Sequence, residues 1–176
     1  MIVAGIDPGI NKTGIGIVEI KGNNICYVDH YLIKNTIATK NTLDKLAFIY
    51  NEITNYLKNF EVITAAIEDI FYAKNLRSVI VLGQVRGIII GSLTSLNISI
   101  KEYTALQIKK TIVGYGRAEK EQVKKLIMWQ LKLNKKAELM PDDCSDALAC
   151  ALCLAYNLQR ENVIQGKRGF NRKKTE

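Results

Sequence analysis

The segment that most constrains this chain is its first fourteen residues, MIVAGIDPGINKTG. An apolar run without a polar interruption predicts a strand that is buried on both faces. Pro8 cannot continue a central ladder of hydrogen bonds, and Gly9 tolerates positive φ, so the strand has to end and turn there. The sequence therefore predicts that Asp7 lies at the carboxyl end of a buried strand, on a rigid element.

Two interpretations of Asp7 stay open from this segment alone. An Asp that precedes Pro-Gly often does no more than cap the turn. Alternatively, Asp7 is a functional group that another part of the site approaches. Gly14 and Gly16 favour the second interpretation, because they open the next strand and leave bare backbone near the carboxylate.

The length and charge of the chain limit its class. At 176 residues it fits one domain with a real core, and its 25 Lys and Arg against 17 Asp and Glu leave a net charge of +8. This excess favours a polyanionic partner and says nothing about the fold. We expect a cytoplasmic protein, since the start of the sequence lacks an export signal. The apolar run 79–93 is short and interrupted by Gln84 and Arg86, so we expect no membrane span.

The cysteines give a second, weaker signal. Cys150 and Cys153 form a C-x-x-C, but a zinc site would need a second pair of ligands, and the only histidine, His30, is distant in sequence. The pair also falls inside an Ala- and Leu-rich helix pattern. We therefore interpret the cysteines as small buried thiols.

Hydrophobic periodicity gives the order of the elements. The pattern predicts strands at 2–7, 13–20 and 24–33, a helix over 43–60, a strand at 62–67, a long helix from about 77 to 96, a strand at 98–103, and helices at 104–112, 119–131 and 143–159. A hairpin followed by alternating strands and helices predicts an α/β fold with a mixed sheet and helices on both faces. The strands that end at Asp7 and Glu68 would place the two carboxylates side by side if they pair.

Three glycines mark the long helix. Gly83, Gly87 and Gly91 recur at a spacing of four residues and so share one face. A glycine costs about 1 kcal/mol in a helix interior, which indicates a close backbone approach on that face. We favour the sheet as the neighbour, with a partner subunit as the alternative.

A cluster of carboxylates begins the last predicted helix, where residues 142–149 read DDCSDALA. Asp143 and Asp146 share a helix face, and so do Asp142 and Asp146, so the spacing leaves both pairs open. One such residue is explained by the helix dipole. Two or three on a helix that is otherwise apolar need a cation. Carboxylates on three elements, without a thiolate or histidine partner, suit Mg²⁺ or Mn²⁺ rather than zinc, and beside a basic surface they indicate two-metal phosphodiester hydrolysis.

Five motifs in order resemble one known family. They are GIDPG at 5–9, IEDIFYAKN at 67–75, LGQVRG at 82–87, KKTIVGYGRAEKEQV at 109–123 and DCSDALA at 143–149. The chain is similar to the RuvC family of bacterial Holliday-junction resolvases, within the ribonuclease H-like superfamily, from Ile2 to about Leu158. The resemblance implies a five-stranded mixed sheet and an acidic tetrad of Asp7, Glu68, Asp143 and Asp146.

The same resemblance implies the activity and its requirements. The expected activity is that of an endodeoxyribonuclease that nicks a four-way junction in two strands of like polarity and leaves 5′-phosphate and 3′-hydroxyl ends. The expected cofactors are two Mg²⁺ ions per active site, with Mn²⁺ able to substitute. The expected assembly is a homodimer with the glycine-bearing helix at its interface, and a branch-migration helicase complex is a further expected partner.

Aromatic and basic residues predict the DNA surface. Phe71 and Tyr72 follow Glu68 in a loop with Lys74 and Arg77, which favours stacking on an unpaired base. The resemblance places Phe71 in that role. Residues 114–117, GYGR, precede a helix, so the backbone amides, Arg117 and Lys120 are candidates for a phosphate contact. Lys109 and Lys110 extend the same basic strip.

Two other functions have to be weighed, and one segment stands apart. Another ribonuclease H-like nuclease, acting on RNA–DNA hybrids or as a transposase, would carry the same tetrad. A scaffold that binds junctions without cutting them would not need it. We assign residues 1–159 to the nuclease domain. Residues 160–176 carry six cations against two acidic residues and few apolar side chains, so we expect a basic tail that is disordered when free and contacts junction arms.

Overall fold

The computed structural model describes residues 1–35, 41–69, 75–133 and 140–172, the last ten of these as backbone alone. Five strands and five helices lie within these ranges. They are β1 Ile2–Asp7, β2 Lys12–Lys21, β3 Asn24–Lys34, α1 Thr42–Leu57, β4 Val62–Glu68, α2 Leu76–Ser95, β5 Ser99–Tyr103, α3 Ala105–Val113, α4 Lys120–Gln130 and α5 Asp142–Arg172. Their order confirms the predicted alternation of strands and helices.

The five strands form one sheet in the order β3-β2-β1-β4-β5. β1 pairs with β2 in antiparallel and with β4 in parallel orientation, and β5 extends the parallel part. Ile6 is paired with Ile67, so the next residue of each strand, Asp7 or Glu68, lies at the same end of the sheet. This pairing confirms the mixed sheet and the expected neighbourhood of the two strand ends.

Each face of the sheet has its own apolar core. Because successive side chains of a strand point to opposite faces, β1 contributes Ile6 to one core and Val3 to the other. The first core packs against α1 and α2, and the second packs against α3, α4 and α5. Asp7 and Gly5 share the Val3 face by this alternation. The α5 layer therefore covers the face on which Asp7 lies.

Glycines in β1 and β2 allow α5 to approach the sheet at backbone distance. A Cβ atom on Gly5 would lie 2.1 Å from the Ala147 carbonyl oxygen, and one on Gly14 would lie 2.0 Å from that of Asp143. A Cβ on Gly16 would meet the backbone nitrogen of Leu148 at 2.7 Å. The group that comes close to Asp7 is therefore the backbone of α5, and only glycine leaves room for it.

Helix α2 contacts the core through a different face from the one we favoured. Its fully buried apolar side chains are Val85, Ile89 and Leu93, which pack in the core with the sheet and α1. Cβ atoms on the three glycines would meet nothing within 4 Å, and all three are exposed. The expected approach of the glycines to the sheet is wrong, because the apolar stripe that binds the sheet lies elsewhere on the helix.

Within the described ranges, α2 is also the one helix long and apolar enough to cross a membrane, judged by length and composition alone. Core helices of globular proteins meet the same criterion. Here one face of α2 is buried in the protein core, and Arg86 on that helix is only 8% exposed. These contacts identify α2 as part of the packed fold.

Two helix ends differ from the periodicity. α1 ends at Leu57, where the amides of Asn59 and Phe60 turn back to the carbonyls of Tyr56 and Leu57. The expected end of α5 near Gln159 is wrong, since the helix continues to Arg172. Ala155 is the last fully buried residue of α5, residues 156–159 are partly buried, and residue 160 is exposed. The packing of the helix thus ends near the expected position, but its backbone remains helical beyond it. The disorder of segment 160–176 when free stays a prediction, because an isolated helical end with little to bury is marginal in water.

The cysteine interpretation is confirmed for three of the four residues. Cys144, Cys150 and Cys153 are buried free thiols in α5, and burial raises the pKa of the Cys150 thiol well above its ordinary value. Cys26 is partly exposed on β3. Buried apolar surroundings keep such thiols unreactive.

The seating of α5 can be tested by adding one methyl group. We expect Gly5→Ala to lower the free energy of unfolding by about 1–3 kcal/mol, because the new Cβ would overlap the backbone of α5 and push the helix away from the sheet. Urea denaturation followed by circular dichroism measures this change. An unchanged midpoint and slope would contradict the close packing of α5 on β1.

Candidate active site

Asp7 is the last residue of β1 and lies beside the start of α5. The Pro-Gly turn that follows it is closed by another side chain. The Thr13 hydroxyl donates to the Gly9 carbonyl at 2.8 Å, which fixes the Pro-Gly turn. Burial, and after it the nearby charges of Asp146, Glu68 and Asp143, together raise the pKa of Asp7 to about 7. The coupling of Asp7 to three other carboxylates favours the functional interpretation over the capping one.

Glu68 ends the neighbouring parallel strand β4 and shares this environment. Burial raises its pKa, and the charge of Asp146 adds to the rise. The charges of Lys109 and Lys120 act in the opposite direction. The two strand ends and the first turns of α5 therefore form one electrostatic cluster.

The start of α5 separates the two candidate aspartates that the spacing left open. Asp142 accepts a hydrogen bond from Lys124 Nζ at 2.8 Å, which lowers its pKa, and its side chain is 57% exposed. Asp143 acts instead on Asp7, whose pKa it raises. Asp142 is thus engaged on the outer side of the helix, and this arrangement supports Asp143 and Asp146 as the inward pair.

Lys120 supplies a cation to the cluster. Its Nζ lies 2.8 Å from an Asp146 carboxylate oxygen and 4.0 Å from one of Asp142. Burial alone would lower the Lys120 pKa, but the hydrogen bond and charge of Asp146 outweigh burial and raise it. A cleft of about 240 Å³ opens here. Its lining residues are Glu68, Ala105, Ile108, Lys109, Lys120, Val123, Asp146 and Ala149.

The four carboxylates have the donor atoms that a divalent cation needs, but their side chains are not arranged around one. Their donors are all oxygens, which Mg²⁺ and Mn²⁺ prefer. Among the described residues, no group of three His, Cys, Asp or Glu side chains is close enough to hold one ion as the side chains stand. The charge repulsion that raises the pKa of Asp7 is what a bound cation would relieve. Asp7, Glu68, Asp143 and Asp146 are therefore the residues that would hold it.

Arg86 is a residue of this site that the sequence patterns did not single out. From α2 its guanidinium donates to the backbone carbonyl of Glu68 and to the Glu102 carboxylate, and it lies 3.5 Å from Asp69. It thereby ties the end of β4 to β5 and α2. The sequence does contain a signal for it, because Arg86 is an arginine inside an apolar run. We used that arginine only as an argument against a membrane span. A buried arginine in such a run indicates a specific acceptor.

Of the other predicted residues, Lys109 lines the cleft, and the rest lie elsewhere on the surface or outside the described ranges. Lys109 is partly exposed, and Arg77, Lys110 and Arg117 are exposed. Phe71, Tyr72 and Lys74 lie outside the described residues. α4 begins at Lys120 with Glu119 as its N-cap, and the Glu119 amide donates to Gln122. An acidic N-cap disfavours a phosphate at these amides, so the side chains alone carry this part of the prediction.

Carboxylates at adjacent strand ends, facing a helix that carries two more, define a ribonuclease H-like nuclease. The chain matches the family Crossover junction endodeoxyribonuclease RuvC over residues 3–154. It is 39% identical over 168 residues to the protein of that name from Geobacter sp. strain M21, covering 96% of this chain and all of the relative. It is 40% identical over 170 residues to that of Ruminiclostridium cellulolyticum, covering 97% of this chain and all of the relative. The chain belongs to the RuvC family.

Solved structures agree with this assignment. The chain is similar to Thermus thermophilus RuvC in complex with Holliday junction substrate, with a TM-score of 0.84, 28% identity, and coverage of 92% of this chain and 96% of that one. The yeast mitochondrial Holliday junction resolvase Ydc2 shares the fold at 14% identity, with a TM-score of 0.71 and coverage of 96% and 83%. The resemblance drawn from the sequence and the predicted fold class are both confirmed.

The pKa of Asp7 predicts an unusual dependence of stability on pH. The folded value of about 7 exceeds the ordinary 3.8, so ionised Asp7 destabilises the fold fully above pH 7, and the effect vanishes below about pH 4. We expect Asp7→Asn to raise the melting temperature of metal-free protein at pH 8, with a difference that shrinks on acidification. Added Mg²⁺ should stabilise the original protein, since it binds only the folded state, and leave the variant unaffected.

Asp142→Asn is the matched control for this experiment. Its carboxylate is on the same helix but pairs with Lys124, so its loss should bring no gain at pH 8 and should leave the Mg²⁺ effect in place. Differential scanning calorimetry across pH 4–8 measures both effects. A melting temperature of Asp7→Asn that does not depend on pH relative to the original protein would contradict the coupled cluster.

Proposed function

We propose that this chain is a metal-dependent endodeoxyribonuclease that resolves four-way DNA junctions by paired nicks in strands of like polarity. The observation that carries the proposal is the electrostatic coupling of Asp7 to Glu68, Asp143 and Asp146 in a member of the RuvC family. The net charge of +8 favours a polyanionic substrate. The expected setting is the cytoplasm, during recombination and repair.

The roles of the carboxylates follow from their positions. Asp7 is coupled to Glu68 on the neighbouring strand and to both aspartates of α5, so it would be the residue that two cations share. When bound, two Mg²⁺ ions, or Mn²⁺ in their place, lower the pKa of an attacking water and neutralise the leaving 3′ oxygen. Rigid strand ends hold Asp7 and Glu68 in place, and the glycine-seated helix holds Asp143 and Asp146.

Lys120 gains a second role under this proposal. In the metal-free structure it neutralises Asp146 at 2.8 Å. Lys109 and Lys120 line the same cleft as Glu68 and Asp146. A cation held by Asp146 would free the Lys120 ammonium group, and both lysines would then be available to stabilise the charge of a scissile phosphate. Lys110, Arg117 and Arg77 extend the basic surface outward for phosphates of the junction arms.

The residues that select a junction are proposed from the sequence. Phe71, followed by Tyr72 and Lys74, is expected to stack on an unpaired base at the crossover. Base stacking is sequence-tolerant and is available only where pairing is already strained. This loop, together with a dimer, separates a junction resolvase from a hybrid-cutting nuclease or a transposase, whose carboxylates would be the same.

A homodimer through α2 accounts for the exposed face of that helix. Gly83, Gly87 and Gly91 lie on it with open space around them, and so do Leu76 and Ile80, whose side chains are 75% and 55% exposed. Glycines that lower helix stability are retained where a second backbone approaches. A partner α2 would bury this apolar face and set two active sites to serve one junction. We also propose a branch-migration helicase complex as a partner.

A cleavage assay separates the proposed function from its rivals. We expect Mg²⁺-dependent nicking of a four-way junction, much slower cutting of an RNA–DNA hybrid and of plain duplex, and no cutting in EDTA. Asp7→Asn should abolish cutting while junction binding in metal-free buffer is unchanged or tighter, because a charge that repels phosphate is removed. Retention of the rate within about tenfold, a barrier change of roughly 1.4 kcal/mol, would refute the role of the tetrad.

The three substrates decide between the alternatives. Preference for the hybrid would favour the other ribonuclease H-like nucleases. Tight junction binding without any nicking in Mg²⁺ or Mn²⁺ would favour a scaffold. Gel electrophoresis of end-labelled strands also reports whether the two nicks lie symmetrically in opposed strands.

The dimer prediction has its own test. We expect Gly87→Leu to convert a dimer to a monomer in analytical ultracentrifugation, because a leucine side chain on this face would keep a second helix away. Lys101→Leu, an exposed position on β5, is the control and should leave the dimer intact. A monomeric original protein, or a dimer that is unchanged by Gly87→Leu, would contradict the α2 interface.

A further inference from the structure

A second basic surface lies at the open end of the β2–β3 hairpin, where β2 begins and β3 ends. It is on the opposite side of Asp7 from Lys109 and Lys120. We call it the hairpin rim and define it as Lys12, Lys34 and Lys45. Lys12 begins β2, Lys34 ends β3, and the two residues are direct cross-strand partners. Lys45, in the first turns of α1, donates from its Nζ to the side-chain oxygen of Asn11, the residue before Lys12, at 3.2 Å.

The hairpin rim has little acidic compensation: the charge of Lys12 contributes to the lowered pKa of Asp142, but it is the smallest of the contributing charges. Like charges directly opposite one another on a sheet are destabilising, and among the described residues no salt bridge involves any of the three lysines. Other lysines of the fold do have acidic partners: at the far end of β2, Lys21 pairs with Glu19 at 2.9 Å, and on α4 Lys124 pairs with Asp142. An anion that binds at the hairpin rim would relieve the repulsion.

Hydrogen bonds fix the hairpin rim in place. The Asn35 side-chain amide donates to the carbonyls of Ile10 and Lys45, at 3.2 and 3.1 Å, and its backbone amide donates to the Asn11 carbonyl at 2.9 Å. These bonds join the turn after Asp7, the end of β3 and the start of α1. A polyanion that binds the three lysines therefore does not have to order the backbone that carries them.

The position of the hairpin rim relative to the tetrad indicates its ligand. Asp7 is paired with Gly14 of β2, and Lys12 precedes Gly14 by two residues on that strand. Along the end of the sheet the order is Lys34, Lys12, Asp7 and Glu68, because the strands lie in the order β3-β2-β1-β4. Neighbouring strands are about 4.8 Å apart, so Lys12 is one strand and Lys34 two strands from the catalytic carboxylates. A DNA strand whose scissile phosphate lies at Asp7 has cations on both flanks.

We propose that the hairpin rim binds backbone phosphates of the DNA arm on the β3 side of the active site. This inference rests on the proposed function for the position of the DNA. Contacts of this kind position a duplex without reading its sequence. The rim therefore orients the cut strand across Asp7, while Lys109 and Lys120 hold it on the other side.

The test is the salt dependence of DNA affinity. We expect the triple variant Lys12→Gln, Lys34→Gln and Lys45→Gln to flatten the slope of log affinity against log salt by about 2 to 3, since each phosphate contact contributes about 0.9. The reduction should appear with both a four-way junction and a plain duplex in metal-free buffer. Fluorescence anisotropy at several salt concentrations measures it, and the melting temperature should not fall, because like-charge repulsion is removed.

A matched variant removes the same number of charges from the other end of the fold. Lys21→Gln, Lys58→Gln and Lys132→Gln lie at the far end of β2, after α1 and after α4, and all three positions are exposed. This control should leave the slope near that of the original protein. An equal change in both triple variants would mean that net charge alone acts, and an unchanged slope in the rim variant would overturn the proposal.

Cleavage separates failure of this inference from failure of the proposed function. If the original protein nicks junctions and the rim variant keeps the original salt slope, the rim assignment is wrong and the nuclease assignment stands. If the original protein never nicks junctions but the rim variant alone flattens the slope, the rim is a DNA-binding site and the proposed function is wrong. With both correct, the original protein nicks junctions in Mg²⁺ and the rim variant alone flattens the salt slope.

Discussion

The seating of α5 on bare strand backbone is the constraint on which the rest of the site depends. Gly5, Gly14 and Gly16 remove every side chain that would hold the helix away, and the Asp143 carbonyl comes within 2.0 Å of the position a Cβ on Gly14 would take. A side chain at any of these positions would hold the helix farther from the sheet and move Asp143 and Asp146 away from Asp7. Close packing at the first turns of α5 thus brings the carboxylates of the strand ends and those of α5 into one cluster.

The cluster is an electrostatic strain that the fold retains. Burial and the charges of Asp146, Glu68 and Asp143 together raise the pKa of Asp7 to about 7, and Lys120, which pairs with Asp146, offsets part of the repulsion. Arg86 holds the Glu68 carbonyl from beneath, so the end of β4 cannot move away to relieve the strain. A site that is unfavourable without a cation and rigid around the gap is well suited to bind one.

Much of this could be predicted from the sequence, and the exceptions have physical reasons. The strand order and the place of Asp7 and Glu68 follow from apolar runs that end on carboxylates, because burial and turn chemistry are local. Whether Asp142 or Asp143 faces inward depends on Lys124, which is 18 residues away from Asp142 and invisible to helical spacing. The glycines of α2 show the same limit. Their spacing reveals a shared face, but the burial of Val85, Ile89 and Leu93 decides that this face points away from the sheet.

The central claim is that Asp7, Glu68, Asp143 and Asp146 together hold a pair of divalent cations. The most direct measurement is anomalous X-ray diffraction from crystals of the protein grown with Mn²⁺. The account predicts two peaks about 3.5–4 Å apart, both in contact with Asp7, with the Lys120 ammonium displaced from Asp146. A tetrad without a peak at saturating Mn²⁺, with Lys120 still bonded to Asp146, would contradict it.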